Sequence, residues 1–210
     1  MSTCDGGVKL TQPLNQMADD GANPISSLQW HIVPIDHTTA KAWIEQWHYS
    51  HVIPKGKNIR FGLYNYGELY AVIVYGNGVN PYQARFLGVE RVIELKRMCR
   101  SEPKRAFPLS RFIALTAKMA YKVYPYQCIV AFADPEQGHE GTVYKASNFK
   151  LHGTTNAEWH VKDESGVLRH RRYAYRYAKR NNVSIEEARN ILKLTRVQTK
   201  RKFRWVKYNN

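Results

Sequence analysis

The sequence predicts a mixed α/β fold of the α+β kind, with a central mixed sheet flanked by helices and a basic C-terminal extension. Three observations support this prediction. Apolar runs rich in β-branched and aromatic residues alternate with segments of helical periodicity. The hydrophobic share of 43% in 210 residues is enough for the core of one domain. Positive charge is concentrated in residues 165–210.

The N-terminal part predicts a leader, a strand and a helix. Residues 1–27 mix small and polar residues without apolar periodicity, so they are predicted to be a flexible leader. Residues 28–35 alternate between apolar and polar positions and predict a strand. Thr38 or Thr39 is expected to cap the following helix, which must end before Pro54.

A β-hairpin and a further strand are predicted next. The runs 59–64 and 69–75 are β-branched and aromatic, and a short turn containing Gly67 joins them. Glycine, asparagine and proline in residues 76–84 predict a loop. Another strand is expected within residues 89–98.

The middle of the sequence predicts a helix, a buried strand and a short helix. Residues 109–124 place apolar side chains on one helical face. Residues 128–133 are continuously apolar, as in a strand that is buried on both sides. A turn then leads to a short helix at about residues 141–147.

The last part of the sequence predicts two paired strands and a capped helix. Residues 149–152 and 158–162 are expected to form the closing strand pair. Residues 167–177 fit a strand or a basic helix, and the pattern leaves both open. Ser184 begins an S-x-x-E capping box, which predicts a helix over residues 185–194.

Cysteine content and hydropathy indicate a protein of the cytoplasm. The three cysteines are widely separated and form no CxxC pair, which argues against a disulfide framework and a structural zinc cluster. No segment approaches about 18 consecutive apolar residues, and the N-terminus has no secretory pattern. We therefore expect no membrane association.

The charge distribution predicts a polyanionic partner. The chain has a net charge of +15, and residues 165–210 hold 14 basic and two acidic residues. Aromatic residues are interleaved with these cations, a combination that suits phosphates and bases. The alternative is a solvated basic surface. The basic residues predicted to contact nucleic acid are Arg169, Arg171, Arg172, Arg176, Lys200, Arg201, Lys202 and Arg204.

Two groups of residues are candidates for chemistry. His48, Tyr49 and His51 form a polar cluster after the first helix, where imidazole can accept a proton or bind a metal. Asp134 follows a buried strand, where open sheets place ligand contacts, and Tyr144 lies on the next short helix. The alternative is that Asp134 caps a turn and Tyr144 packs in the core.

The element order resembles the acetyltransferase fold of the GNAT superfamily, in which two central strands separate to admit coenzyme A. In that fold the pyrophosphate binds at the N-terminus of the helix after the fourth strand. The usual Gly-rich loop is missing here. Lys104, Arg105, Ser110 and Arg111 are the candidate coenzyme A ligands, and a basic loop that only caps the helix is the alternative.

Several motifs in one order resemble the Mom family of bacteriophage DNA-modification proteins. They are HYSHVIPKG (48–56), FGLYNYGELYAVIVYG (61–76), ELKRMC (94–99), PLSRFIA (108–114) and ADPEQGHEGTVYKASNF (133–149). The resemblance implies conversion of adenine in double-stranded DNA to N6-carbamoylmethyladenine, which protects phage DNA from host restriction. It implies an enzyme that acts in the cytoplasm of the bacterial host. It also implies catalytic roles for His48, Tyr49, Asp134 and Tyr144.

The implied chemistry makes further demands on the protein. An adenine in a duplex must be flipped into a pocket, for which Trp47, Tyr49, Tyr64 and Tyr66 are candidate walls. Asp134 is expected to accept an N6 proton, and Tyr144 to protonate the departing thiolate of acetyl-coenzyme A. An acetyl group would join N6 through a carbonyl, whereas the family product has a CH2 link, so another donor or further chemistry is required.

Because of this CH2 link, a metal-dependent reaction and two other functions remain alternatives. Iron held by His48, His51 or a tyrosine would supply the redox chemistry of such a reaction. An ordinary acetyltransferase acting on protein or RNA remains an alternative function. A non-enzymatic DNA-binding protein on a degenerate acyltransferase fold is the other alternative.

Overall fold

The computed structural model describes residues 30–77, 82–101 and 107–209. The predicted leader, residues 1–27, and two of the candidate coenzyme A ligands, Lys104 and Arg105, lie outside the described residues. In chain order the strands and helices are β1 (Trp30–Pro34), α1 (His37–Trp47), β2 (Asn58–Asn65), β3 (Glu68–Gly76), α2 (Gln83–Phe86), β4 (Val92–Arg100), α3 (Leu109–Val123), β5 (Cys128–Ala133), α4 (Thr142–Lys145), β6 (Lys150–Thr154), β7 (Trp159–Lys162), β8 (Leu168–Arg169), α5 (Tyr173–Asn181), α6 (Ile185–Ile191), β9 (Thr195–Gln198) and β10 (Phe203–Tyr208).

Within the described residues, seven strands form a main sheet in the order β1-β2-β3-β4-β5-β10-β6. All neighbouring pairs in this sheet are antiparallel except β4 and β5, which are parallel. The predicted central mixed sheet with flanking helices is therefore confirmed. The predicted hairpin is also confirmed, since β2 and β3 pair along their whole length.

The parallel pair separates partway along its length. Residues 92–95 of β4 pair with residues 128–131 of β5. On the opposite side, the register between β4 and β3 shifts so that Lys96 is the extra residue of a β-bulge. Beyond this bulge β4 continues to Arg100 beside β3, while β5 is paired with β10. A cleft opens between the two strands.

Helices cover both faces of the sheet because β3 is apolar on both sides. Its residues Ile73 and Tyr75 pack under α3 with the buried Phe112. The alternate residues Val72 and Val74 pack against α1 on the other face. A buried hydrogen bond of 2.9 Å joins the Tyr75 hydroxyl to Thr116 of α3. This bond fixes α3 over the strands that form the cleft.

The paired strands β6 and β10 extend beyond the main sheet and lead into a second, smaller sheet. The Thr155 N–H donates to the Lys202 carbonyl at 2.9 Å, and the Thr199 N–H donates to the Glu158 carbonyl at 2.8 Å. In the described chain, β8, β7 and β9 form this second sheet, and α5 and α6 pack together on Ala178 and its neighbours. We call residues 155–202 the basic arm.

The C-terminal residues contribute to both sheets. Strand β10 lies between β5 and β6, with Trp205 opposite Ala131 and Val206 opposite Val130. Residues 165–210 therefore supply a strand to the main sheet as well as most of the basic arm. Local sequence pattern did not predict β9 or β10.

Three local predictions need correction. The N-cap of α1 is Asp36, whose carboxylate accepts the Thr39 N–H at 2.8 Å, so neither threonine is the cap. The predicted closing strands do not pair with each other, because β6 pairs with β10 and β7 pairs with β8 and β9. The ambiguous segment, residues 167–177, contains both the short strand β8 and the start of α5.

The cap of α6 was predicted correctly, although the helix ends earlier than expected. The Ser184 hydroxyl accepts the Glu187 N–H at 3.0 Å, and the helix stops at Ile191. No helix in the three described ranges is long and apolar enough to cross a membrane.

Candidate active-site cleft

The cleft between β4 and β5 has a volume of about 490 Å³. Its walls come from the end of α1, the second half of β4, the start of α3, the end of β5, and the loop that leads into α4. The described residues that line it are Trp47, His48, Tyr49, residues 95–100, Leu109, Phe132, Ala133 and residues 138–144. Three of the four predicted catalytic residues are therefore brought together.

His48 is held in one tautomer by the chain that follows it. It is buried at the C-terminal end of α1, and its Nδ1 accepts the Ser50 backbone N–H at 3.1 Å. The Ser50 hydroxyl lies 2.9 Å from the same nitrogen. Because Nδ1 accepts a hydrogen bond, the neutral ring carries its proton on Nε2. Burial, together with the positive charge of Arg97, lowers the pKa of His48 to about 4.

Tyr49 lies at the open side of the cleft, with 46% of its surface exposed. Its ring centroid is 4.4 Å from that of His48 and 5.8 Å from that of His139, to which it is perpendicular. Trp47, also exposed, lines the same side. This part of the cleft therefore has an accessible aromatic surface between two imidazoles.

Tyr144 lies deeper in the cleft, on α4. Its ring packs against Phe149 with centroids 5.6 Å apart. Burial raises the pKa of Tyr144 to about 12, with smaller contributions from Tyr49 and Glu94. The phenol therefore keeps its proton at neutral pH and can donate it.

Asp134 is placed differently from the other predicted catalytic residues. One carboxylate oxygen accepts the Glu136 N–H at 3.1 Å, and the other lies 2.9 Å from the ammonium of Lys202. Among the described residues that line the cleft, Ala133 is present and Asp134 is not. The carboxylate caps the turn at Pro135–Gln137 and joins that turn to the basic arm.

The loop between Asp134 and α4 contributes residues that sequence reasoning did not single out. His139, Glu140 and Gly141 all line the cleft. Gly141 has a positive φ of 89°, and a Cβ at this position would collide with the indole of Trp205. The only sequence signal was their position inside a motif that carries the family resemblance.

Other predicted residues lie outside the cleft. Of the proposed pocket walls, Tyr64 stacks on His31 at 5.4 Å and Tyr66 is exposed in the β2–β3 turn. Ser110 and Arg111 lie in the first turn of α3, next to Leu109, which does line the cleft. The guanidinium of Arg111 lies 5.7 Å from the Phe107 ring.

The two histidines do not form an iron site with other side chains. The Nδ1 of His51 is 2.6 Å from the Glu45 carbonyl and therefore carries a proton, which leaves only its Nε2 to bind a metal. The Nδ1 of His48 is occupied by Ser50. Within the three described ranges, no group of three or more His, Cys, Asp or Glu side chains could hold a metal ion. The predicted iron ligation by His48 and His51 is not supported.

The basic residues predicted to contact nucleic acid fall into two groups. Exposed side chains on the arm are those of Arg171, Arg172, Arg176, Lys200 and Arg201. The others are partly buried and have partners within the protein: Arg169 with Asp163 at 2.8 Å, Lys202 with Asp134, and Arg204 over the Phe86 ring at 4.5 Å.

The separated parallel strands and the cleft between them define the GNAT acetyltransferase fold. Two solved structures of variants of a spermidine N-acetyltransferase from Vibrio cholerae match this chain with TM-scores of 0.51 and 0.50. Each is 10% identical, and each match covers 86% of this chain and 94% of the other. At this identity the likeness concerns the fold alone.

The chain belongs to the Mom protein family, whose profile matches residues 29–210. The methylcarbamoylase Mom of Escherichia phage Mu is 28% identical over 129 residues. That match covers 59% of this chain and 54% of the phage Mu protein. The matched region thus spans about half the length of this curated relative.

Proposed function

We propose that this protein is a transferase that modifies N6 of adenine in double-stranded DNA, with N6-carbamoylmethyladenine as its product. It would act in the cytoplasm of an infected bacterium and protect phage DNA from restriction. Membership of the Mom family and the name of the phage Mu relative support this function. The observation that carries it is the cleft, where Tyr49, His48 and Tyr144 meet between the separated strands.

The proposed donor is a coenzyme A thioester. The N-terminus of α3 would bind its pyrophosphate, because the free N–H groups of a helix start favour an anion. Ser110 and Arg111 lie in this first turn, and Lys104 and Arg105 precede it in the sequence. A thioester supplies an activated carbonyl carbon and a thiolate leaving group, so the transfer itself gives an N6-acyl adenine, and further chemistry must then produce the CH2 link. Tyr144 would protonate that thiolate, since its proton is retained at neutral pH.

The acceptor would be an adenine flipped out of the duplex. Extrusion costs a few kcal/mol, which stacking on aromatic side chains helps to offset. Tyr49 and Trp47 present exposed rings at the open side of the cleft. His48, held as the Nε2–H tautomer, would donate a hydrogen bond to the base or to the donor.

Duplex DNA would be held by the basic arm. Its exposed cations, Arg171, Arg172, Arg176, Lys200 and Arg201, have the charge and accessibility needed for phosphate contacts. Such contacts orient a protein on DNA without reading its sequence. The arm would therefore provide affinity, and the cleft would provide the chemistry.

Nucleoside mass spectrometry tests this function directly. Plasmid DNA is isolated from cells that express the wild-type protein, digested to nucleosides, and compared with DNA from cells expressing Tyr144→Phe. We expect carbamoylmethylated deoxyadenosine only with the wild-type protein. The mass of the adduct distinguishes a carbamoylmethyl group from an acetyl group.

Other outcomes would select the alternative functions. Unmodified DNA together with tight duplex binding by the purified protein would indicate a DNA-binding protein without this activity. Unmodified DNA together with acetylated protein or RNA would indicate an ordinary acetyltransferase.

A further inference from the structure

The proposed function requires a group that accepts a proton from the adenine amine, and the following inference rests on that function. As N6 forms its bond to carbon, one N6–H bond must break. The acceptor must lie in the cleft and must be unprotonated near neutral pH. Several titratable side chains line the cleft, and most of them fail one of these conditions.

His48 is unsuited to accepting this proton. Its Nδ1 already accepts the Ser50 N–H, and in the neutral ring its Nε2 carries a hydrogen. Protonation of Nδ1 would break the bond to Ser50 and place a charge in a buried position. The side chain is therefore a donor toward the cleft.

Asp134 is also unsuited, because its two carboxylate oxygens are engaged elsewhere. The Glu136 N–H and the Lys202 ammonium occupy them at 3.1 and 2.9 Å. The Asp134 carbonyl in turn accepts the backbone N–H of His139 at 3.1 Å. Asp134 therefore fixes the start of the loop that carries His139 into the cleft.

The beginning of this loop is also attached to the basic arm through Glu136. The Glu136 carboxylate accepts the backbone N–H of Lys200 at 2.9 Å, close to the ion pair between Asp134 and Lys202. Two contacts thus connect the loop to the arm where the arm leaves the main sheet. Both contacts lie in the segment that immediately precedes His139.

We propose that His139 is the catalytic residue that accepts the N6 proton, and that Asp134 is a positioning residue that holds the His139 loop. The exposed imidazole of His139 lines the cleft, and its ring centroid is 5.8 Å from that of Tyr49. A base stacked on Tyr49 would lie within reach of this imidazole. Imidazole is the side chain best suited to proton transfer near neutral pH.

The proposed step is balanced without any oxidant or reductant. The nitrogen electron pair forms the N–C bond, and the N6 proton passes to His139. With a thioester donor, N6 attacks the carbonyl carbon, the carbon–sulfur bond breaks, and the thiolate takes the Tyr144 proton. This step gives an N6-acyl adenine, so the CH2 link of the proposed product requires further chemistry after the transfer, in which His139 is assigned no role. Both protons are exchanged with water after the products leave.

Chemical rescue provides the test. Purified wild-type protein and His139→Ala are each incubated with duplex DNA and a clarified bacterial lysate that supplies the donor. Modified deoxyadenosine is then measured. We expect His139→Ala to lose about 10²- to 10⁴-fold in rate. Added imidazoles should restore part of this loss, and more so as their basicity increases. Duplex binding and thermal stability should match those of the wild type.

Two further variants make the result specific. His152→Ala removes an exposed histidine that packs on Phe86 outside the cleft, and it should keep wild-type activity. Glu140→Gln removes the neighbouring carboxylate in the cleft. A loss in Glu140→Gln as large as that in His139→Ala, without rescue of the latter, would assign the proton to Glu140 and overturn the proposal.

Failure of this inference and failure of the proposed function can be distinguished. If wild-type protein forms product and His139→Ala retains its rate, His139 is not the acceptor while the proposed function stands. If wild-type protein forms no modified adenine in this assay or in cells, the proposed function fails and this inference fails with it.

Discussion

The cleft and the basic arm organise polar residues in opposite ways. In the cleft, a few side chains are partly or fully buried, and their protonation is set by their surroundings, as with His48 and Tyr144. On the arm, cations such as Arg171 and Arg176 are exposed on a helix hairpin and a small sheet. Single substitutions should therefore have large effects in the cleft and small, additive effects on the arm.

The largest effect is expected for Tyr144→Phe. This change removes one hydroxyl and keeps the ring that packs on Phe149. Loss of a general acid should lower the rate of adenine modification by about 10²- to 10⁴-fold. Duplex affinity, measured by fluorescence anisotropy, should stay at the wild-type value. Retained activity would remove Tyr144 from the mechanism and weaken the contrast between the two regions.

The cleft residues show what sequence could predict about the site. His48 and Tyr49 follow directly on the end of α1, and Tyr144 lies on a short helix whose position was predicted. The types of these residues, and the motifs in which they occur, were sufficient to select them as candidate catalytic residues. The turn cap made by Asp134 was one of the two alternatives that the sequence offered, and it is observed. The ion pair of Asp134 could not be predicted, because its partner Lys202 is distant in the chain and is brought near only by the pairing of β10 with β5.

The fold shows the same division between local and long-range information. Strand β5 was predicted with the observed bounds because its residues are continuously apolar. The β2–β3 hairpin was predicted because the turn between its two strands is short. Insertion of β10 between β5 and β6 depends on contacts between distant segments, which leave no local pattern. The arm was therefore predicted as a charged extension, without its sheet.

A substitution at Gly141 is expected to have the next largest effect, this time on stability. Gly141→Ala places a methyl group against the Trp205 indole at a positive φ. We expect a loss of about 1–3 kcal/mol in the free energy of unfolding, measured by chemical denaturation. Gly138→Ala is the matched control, because it also has a positive φ but has nothing within 4 Å of the added Cβ. Equal losses of unfolding free energy in the two variants would show that the contact with Trp205 does not contribute to the effect of Gly141→Ala.

The ion pair between Asp134 and Lys202 connects the two regions, so it tests whether they act independently. If Asp134 positions the His139 loop, Asp134→Asn and Lys202→Met should lower kcat by similar factors, and the double variant should be little worse than either. The exchanged pair Asp134→Lys with Lys202→Asp should recover part of the activity. Thermal melting of every variant monitors folding.

A different result is expected if Asp134 itself accepts the proton. Lys202→Met would then leave a functional carboxylate in place, while Asp134→Asn and the exchanged pair would both be inactive. The effects of the two single substitutions would be unequal, and the basic arm would be energetically separate from the cleft.

The smallest effects per residue are expected on the arm itself. Deleting residues 195–210 cannot test it, because this removes β10 from the main sheet. Point substitutions avoid the problem. Replacing Arg171, Arg172 and Arg176 by alanine should weaken binding to every duplex by a similar factor.

The salt dependence of duplex binding by the same triple variant distinguishes phosphate binding from other roles of these arginines. The slope of log K against log salt should fall by about 0.9 for each phosphate that the variant no longer neutralises, and the rate at saturating DNA should be unchanged. Lys118→Ala with Lys122→Ala, two exposed cations on α3, is the control and should leave the slope unaltered. If the control changes the slope and the triple variant does not, the DNA path follows α3, and the exposed charges of the arm serve another purpose.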